Sequence, residues 1–325
     1  MIHPIPPGTR DVLPDEMREL RRLKAALIEV FEDRGYGEVA TPSIEYDETM
    51  ARADGPDRSS YRFFDEAGEL LTLRSDMTVP IARLVATRFA KAEPPFRFSY
   101  LAGGYRAVRP QRGQMREFVQ AGVELIGASA EEGTVEVIEV LEAALDAAGL
   151  GRAVIGLGDA DLYRQLLEEM GVEEESRDAI LSSLATHDLV ALEQGLLAAG
   201  IGAEQAQTCV QLTQLRGGRE VLEQARGLGG AAVERAATQL SETYEELERR
   251  GAADRVQIDL GLLRELGYYS GAIIEVYDPA VGHVLGGGGR YDGLMKQFGL
   301  DFSAAGFALY LDRVHTAQME EARRG

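Results

Sequence analysis

The chain has little of several things that would otherwise direct its reading. It holds a single cysteine, Cys209, among 325 residues, so neither an intrachain disulfide nor a cysteine-based zinc cage can form. Bases are scarce: 34 Lys and Arg stand against 54 Asp and Glu, a formal charge of −20. That balance argues against an extensive grip on a phosphate backbone and against docking on an anionic membrane. No apolar run approaches ~18 residues, so no transmembrane helix is expected. The opening MIHPIPPGTR lacks the apolar stretch of a signal peptide. These absences lead us to expect a soluble, cytoplasmic protein.

Lysine occurs only at positions 24, 91 and 296, a bias that reads as genome composition. The hydrophobic fraction of 45% is that of a globular chain with a core. Charge is unevenly placed. Residues 131–200 carry 16 acids and 3 bases, whereas Arg106, Arg109, Arg112 and Arg116 cluster around one acid, Glu117. A local basic patch in an acidic chain fits either an anion-contacting site or arginines paired with surface acids.

Proline-rich residues 3–14 read as an extended arm. Pro14, Asp15 and Glu16 then open a helix, on which Leu20, Leu23, Leu27 and Phe31 recur at helical spacing. Residues 36–43 read as a strand, 61–74 as a hairpin and 79–90 as a helix. Strands are expected at 96–105 and 117–127, a helix at 132–148 and a buried strand at 153–158. From 161 to 251 strong helix formers punctuated by glycine indicate several short helices. Strands resume at 256–260 and 272–277. Glycines 286–289 read as a loop, 291–298 as a helix, 304–309 as a strand or helix start, and 318–325 as a frayed tail. Strands in runs, without strict βαβ alternation, favour an α+β fold around an antiparallel sheet. The expected organisation is a core in two parts, 1–160 and 252–325, with a helical insertion at 161–251.

Four segments stand out: RSDMT at 74–78, the run from Tyr105 to Glu124, LRELGYYSG at 263–271, and GGGGRYDGL at 286–294 followed by GFALYLDR at 306–313. Alone, each has a plain reading. The glycine run is no P-loop, because Arg290-Tyr291-Asp292 replaces the closing Gly-Lys-Ser/Thr. It fits a flexible turn or a close backbone approach. Tyr268-Tyr269 fits sheet packing, and Asp76 near Arg74 fits a surface pair or helix cap. Asp159 and Asp161 read as loop acids after a strand. His3, His187, His283 and His315 lack metal-ligand spacing, so no metal or cofactor is expected.

Together, in this order, the segments resemble the catalytic domain of class II histidyl-tRNA synthetases along almost the whole chain. PPGTRDVLPDE at 6–16 is similar to the N-terminal segment of that family. TLRSDMT at 72–78 is similar to its amino-acid loop, and FRFSYLAGGYRAVRPQRGQMREFVQAGVELIG at 96–127 to its motif 2. The two later segments resemble the histidine signatures, and GFALYLDR resembles motif 3. The resemblance implies an antiparallel sheet flanked by helices and a histidine pocket. In it Glu124 would accept from the imidazole, Gln120 would meet polar atoms, and Asp76 and Thr78 would hold the α-ammonium. Arg264 would face the carboxylate, and Tyr268 and Tyr269 would line the ring site. An acid for the amine, an arginine for the carboxylate and a polar group for the ring is also the minimal complement to free histidine.

The nucleotide half departs from that pattern. Motif 2 here reads Tyr105-Arg106-Ala107-Val108, with valine where the family has the acid that helps read adenine. Tyr310 stands where motif 3 has a small residue, so a ring is expected in the adenine space. Arg106, Arg112 and Arg313 would be vestigial phosphate binders. The chain also stops twelve residues after Arg313, short of the anticodon-binding domain, so no tRNA partner is expected. These departures resemble the regulatory subunits of ATP phosphoribosyltransferase, the first enzyme of histidine biosynthesis. That family implies a non-catalytic histidine sensor, self-associated as a dimer near residues 36–43, within a hetero-oligomer with a short-form catalytic subunit. The alternative is an active adenylate-forming enzyme of the synthetase type.

Overall fold

The computed structural model describes residues 5–54, 59–108, 115–263 and 267–324. The chain forms two compact units: Met1–Ala153 with Tyr277–Gly287 and Tyr291–Gly325, and Val154–Val276 with Gly288–Arg290.

The first unit opens with α1 (Pro14–Asp33), which starts on a proline followed by two acids and buries Leu20, Leu23, Leu27 and Phe31. Proline suits a first helical turn and the acids suit its positive end. Next come β1 (Gly37–Glu38), β2 (Ile44–Tyr46), α2 (Asp47–Asp54), β3 (Arg62–Phe64), β4 (Leu70–Leu73), α3 (Thr78–Arg88), β5 (Phe96–Tyr105), β6 (Glu117–Ile126) and α4 (Ala130–Ala147). Residues 36–43 are therefore no continuous strand. Pro42 cannot donate to a ladder, and the Thr41 carbonyl accepts instead from Nη1 of buried Arg74 at 2.7 Å.

The second unit holds β7 (Val154–Asp159), α5 (Leu162–Glu169), α6 (Glu174–Ala185), α7 (Leu189–Ala198), α8 (Ala203–Leu212), β8 (Arg216–Gly217), α9 (Glu220–Leu228), α10 (Ala231–Arg250), β9 (Val256–Asp259) and β10 (Ala272–Tyr277, to Val276). The expected short helices are present, and Cys209 is fully buried among them. β8, at two residues, is too short to carry the alternation that marks a strand in sequence. β11 (Gly286–Arg290) has its first two residues in the first unit and its last three in the second. The first unit ends with α11 (Asp292–Gln297), β12 (Ala304–Tyr310) and α12 (Leu311–Arg324).

Within the first unit β2-β4-β3 form a small antiparallel sheet, and β1-β5-β6-β12 lie side by side in a larger one. β1 runs parallel to β5, whereas β5, β6 and β12 alternate in direction. In the second unit the order is β10-β7-β9-β8, with β7 and β9 parallel. The architecture is thus the expected α+β fold, with β5, β6 and β12 antiparallel and parallel pairs at β1–β5 and β7–β9 making the sheet mixed. The helix α1 lies on the back of β5, β6 and β12, with Phe31 edge-on to Phe307 at 6.0 Å.

Two further expectations need correction. Glycines 286–289 are a strand, not a loop, and are buried. A Cβ at Gly286 would stand 2.3 Å from the carbonyl oxygen of Ala308, so the run answers a close backbone approach. The C-terminal residues are not a frayed tail but part of α12. That helix buries Leu311, Val314, His315 and Ala317. It is tied to α1 by His315 Nε2 and Glu19 Oε2 at 2.8 Å. Farther along, Glu321 accepts from the backbone N–H groups of Gly151 and Arg152.

Leu27 has no exposed surface and sits mid-helix in the α1 interface. Leu27→Ala is expected to cost about 2–5 kcal/mol, read as a lower urea midpoint with an unchanged slope.

Candidate functional site

Strand register builds the candidate site in the first unit. Phe98, Glu124 and Gly306 lie in one row across β5, β6 and β12; the next rows are Tyr100, Gly122 and Ala308, then Ala102, Gln120 and Tyr310. Side chains alternate along a strand, so these rows share the face opposite α1. In the middle row the Tyr100 ring lies over Gly122, and polar groups converge beside it.

Glu124 is 1% exposed. Thr78 Oγ1, at the start of α3, donates to its Oε1 at 2.7 Å. The Tyr291 hydroxyl, just before α11, donates to Oε2 at 2.5 Å, and Tyr100 adds a further hydrogen bond. Burial pushes the carboxyl up to about 8 from its ordinary 4.5, the hydroxyl donors pull it back in part, and neighbouring Asp76 raises it again. Only glycine fits beside it: a Cβ at Gly306 would fall 2.0 Å from Oε2. A near-neutral buried carboxyl of this kind can donate to or accept from a ring nitrogen.

Asp76 is buried, and its Oδ1 accepts from the N–H of Val79 at 3.2 Å, so it helps start α3 while lying beside Glu124. Gln120 is buried on the same face. The fold therefore brings Asp76, Thr78 and Glu124 together, with Gln120 two rows along the same face. Tyr268 and Tyr269 lie in the second unit with ring centroids 4.8 Å apart, and Tyr269 packs on Ala160, Leu262 and Ile273. Arg264 and Arg112 lie outside the described residues. Sequence reasoning overlooked Tyr291 and Tyr100 as partners of Glu124. Tyr291 stood inside the quoted glycine segment, whereas nothing local marks Tyr100.

Asp159 and Asp161 serve the second unit's backbone. Asp159 Oδ1 accepts from the N–H groups of Asp161 and Leu162, and Asp161 Oδ2 from that of Gly271 at 2.9 Å. Among the described residues no three His, Cys, Asp or Glu are grouped to hold a metal, and no helix is long and apolar enough to cross a membrane.

At the far end of the same face Tyr310 is 8% exposed. Its ring meets Phe118 edge-on at 5.3 Å. The Arg313 guanidinium carbon lies 4.5 Å from the ring centre and that of Arg106 lies 6.0 Å from it.

A histidyl-tRNA synthetase family model matches residues 8–314. The ATP phosphoribosyltransferase regulatory subunit of Symbiobacterium thermophilum is 43% identical over 321 residues, covering 98% of this chain and 80% of that protein. Its counterpart from Moorella thermoacetica is 41% identical, covering 98% and 82%. This chain belongs to the family of ATP phosphoribosyltransferase regulatory subunits. A crystal structure from Bacillus halodurans, described as an ATP phosphoribosyltransferase regulatory subunit/histidyl-tRNA synthetase, aligns with TM-score 0.88 and 32% identity over 98% of this chain and 84% of that one. The family and the synthetase-like fold expected from the motifs are both found.

The Glu124 carboxyl has a sign-definite effect on stability. Between about pH 4.5 and 8 the unfolded chain gives up this proton while the folded chain keeps it. The group's favourable contribution is therefore complete below the lower value and lost as pH rises through the upper one. Glu124→Gln, which mimics the neutral form, should flatten that part of the melting-temperature profile and exceed the parent above pH 8. Parallel profiles for the two proteins would contradict the assignment.

Proposed function

We propose that this chain is a non-catalytic regulatory subunit of ATP phosphoribosyltransferase that senses free histidine and controls a short-form catalytic subunit. The observation that carries the reading is Glu124, buried under the hydroxyls of Thr78 and Tyr291 with Gly306 packed beside it. In this reading Glu124 meets the imidazole and Gln120 the ligand's other polar atoms. Asp76 and Thr78 take the α-ammonium; the Thr78 hydroxyl can accept from it while donating to Glu124. The motif assignments give Arg264 to the carboxylate and Tyr268 and Tyr269 to the ring. A site that satisfies ring hydrogen bonds rejects amino acids that lack them. The subunit would act in the cytoplasm, as a dimer within a hetero-oligomer. End-product control then requires that histidine bind one state of the assembly better than another.

Retention of Arg106 and Arg313 favours a second reading, an adenylate-forming enzyme of the synthetase type. Histidine-dependent exchange of pyrophosphate into ATP separates the two. None is expected; robust exchange would replace the regulatory reading with the enzymatic one. Co-expressed with a short-form catalytic subunit, the chain should confer activity that histidine inhibits. Glu124→Ala should raise the inhibiting concentration at least about tenfold, as expected when one partner of a charge-assisted hydrogen bond is removed.

The proton count gives a further test. Ring and carboxyl in the complex share one proton. Free Glu124 keeps its proton up to about pH 8, and free imidazole loses its own near pH ~6.5. Between those values binding needs no net proton. Below the window one must be released, and above it one must be taken up. Calorimetry should therefore find a plateau across the window, with affinity falling roughly tenfold per pH unit on either side. A monotonic profile through the window would count against Glu124 as the imidazole's partner.

A further inference from the structure

We propose that Asp278 and Glu321 share one proton, and that this proton latches the end of α12 onto the turn after α4 and the turn after β10. Losing it frees the end of the helix. The latch goes beyond the regulatory reading and does not rest on it.

Asp278 follows β10 directly and is 1% exposed. Its Oδ1 accepts from the N–H of Ala280 at 2.7 Å. No N–H or hydroxyl among the described residues donates to its buried Oδ2. The neighbouring group is a second acid: Glu321, on α12, is hydrogen-bonded to Asp278. Two carboxylates offer only acceptors, so that bond needs a proton between them. Like charges held this close also cannot both ionise without cost.

The backbone decides which acid carries the proton. Glu321 accepts from the N–H of Gly151 at 3.2 Å and from that of Arg152 at 3.1 Å, whereas Asp278 has the Ala280 N–H. Glu321 is therefore the charged member, and the Asp278 hydroxyl donates to it. Burial and the bond to Glu321 hold Asp278 above its ordinary 3.8. Burial pushes Glu321 up as well, but the Asp278 hydroxyl, the two N–H groups and the Arg152 charge outweigh it and hold Glu321 below its ordinary 4.5. Arg152 faces the pair from the turn after α4 but is exposed, so solvent screens it. Arg324, on α12 itself, donates through Nη2 to the Ala280 carbonyl at 3.3 Å and grips the same turn as Asp278. His315 and Glu19 hold the helix separately, nearer its start.

The Asp278 contribution is complete below pH 3.8 and lost as pH rises through its folded value. That of Glu321 is complete above pH 4.5 and lost as pH falls through its folded value. The latch is closed between the two folded values.

The test is amide hydrogen exchange of the full chain across pH, corrected for intrinsic rates, at Gly151, Arg152 and the last turns of α12. Amides of β5, followed alongside, register any global effect of Glu124 and set the baseline. In the parent, protection relative to that baseline should fall by up to about tenfold per pH unit once the upper limit is passed. Asp278→Asn, whose carboxamide donates to Glu321 without titrating, should hold protection flat over the same range. Glu321→Gln should do so too, because its amide donates to an ionised Asp278, and it keeps the experiment decisive if the first variant does not fold. No fall in the parent, or a fall at unchanged pH in either folded variant, would overturn the proposal.

Discussion

Burying one carboxyl group imposes conditions on nearly every part of the first unit. Removing Glu124 from water is unfavourable unless it is met by hydrogen bonds or held neutral, and the fold does some of both. Thr78 brings the start of α3 to it, Tyr291 brings the segment between β11 and α11, and Tyr100 reaches it from β5. β12 must then pass so closely that only Gly306 fits beside the carboxyl. Elements far apart in sequence are thereby held to one register. The resulting group is neutral or charged according to small changes around it, which is the property that the proposed histidine-sensing role calls on.

The face that carries Glu124 is graded along β6. One end is polar and closely hydrogen-bonded, the Tyr100 ring lies over Gly122 in the middle, and the other end is closed by Tyr310. Glu124 and Gln120 lie four residues apart, about 13 Å at strand spacing, which suits one amino acid. A synthetase uses the continuation of such a face for a nucleotide. Here that continuation is filled by aromatic side chains under two arginines.

Much of this was legible in the sequence. Leu20, Leu23, Leu27 and Phe31 marked α1 because helical spacing and burial go together, and β5, β6 and β10 were read within a residue or so. Asp76, Thr78, Gln120 and Glu124 were gathered by motif resemblance, not by any local pattern. The failures share a cause. Glycines 286–289 looked like a loop because strands are recognised by alternating side chains, and these have none. The last helix looked frayed because its anchors, Glu19 for His315 and the Gly151 and Arg152 amides for Glu321, come from distant parts of the chain. Tyr100 escaped for the same reason. Its role exists only once β5 and β6 are paired.

The glycine strand has a consequence for the order of folding. Four consecutive glycines lose more backbone freedom on ordering than any other residues, of order 0.5–1 kcal/mol each relative to alanine, and contribute no side chain to an early hydrophobic cluster. β11 therefore cannot act as a nucleus. It is expected to join backbone edges already laid down and to be among the last elements to gain protection from solvent hydrogen exchange.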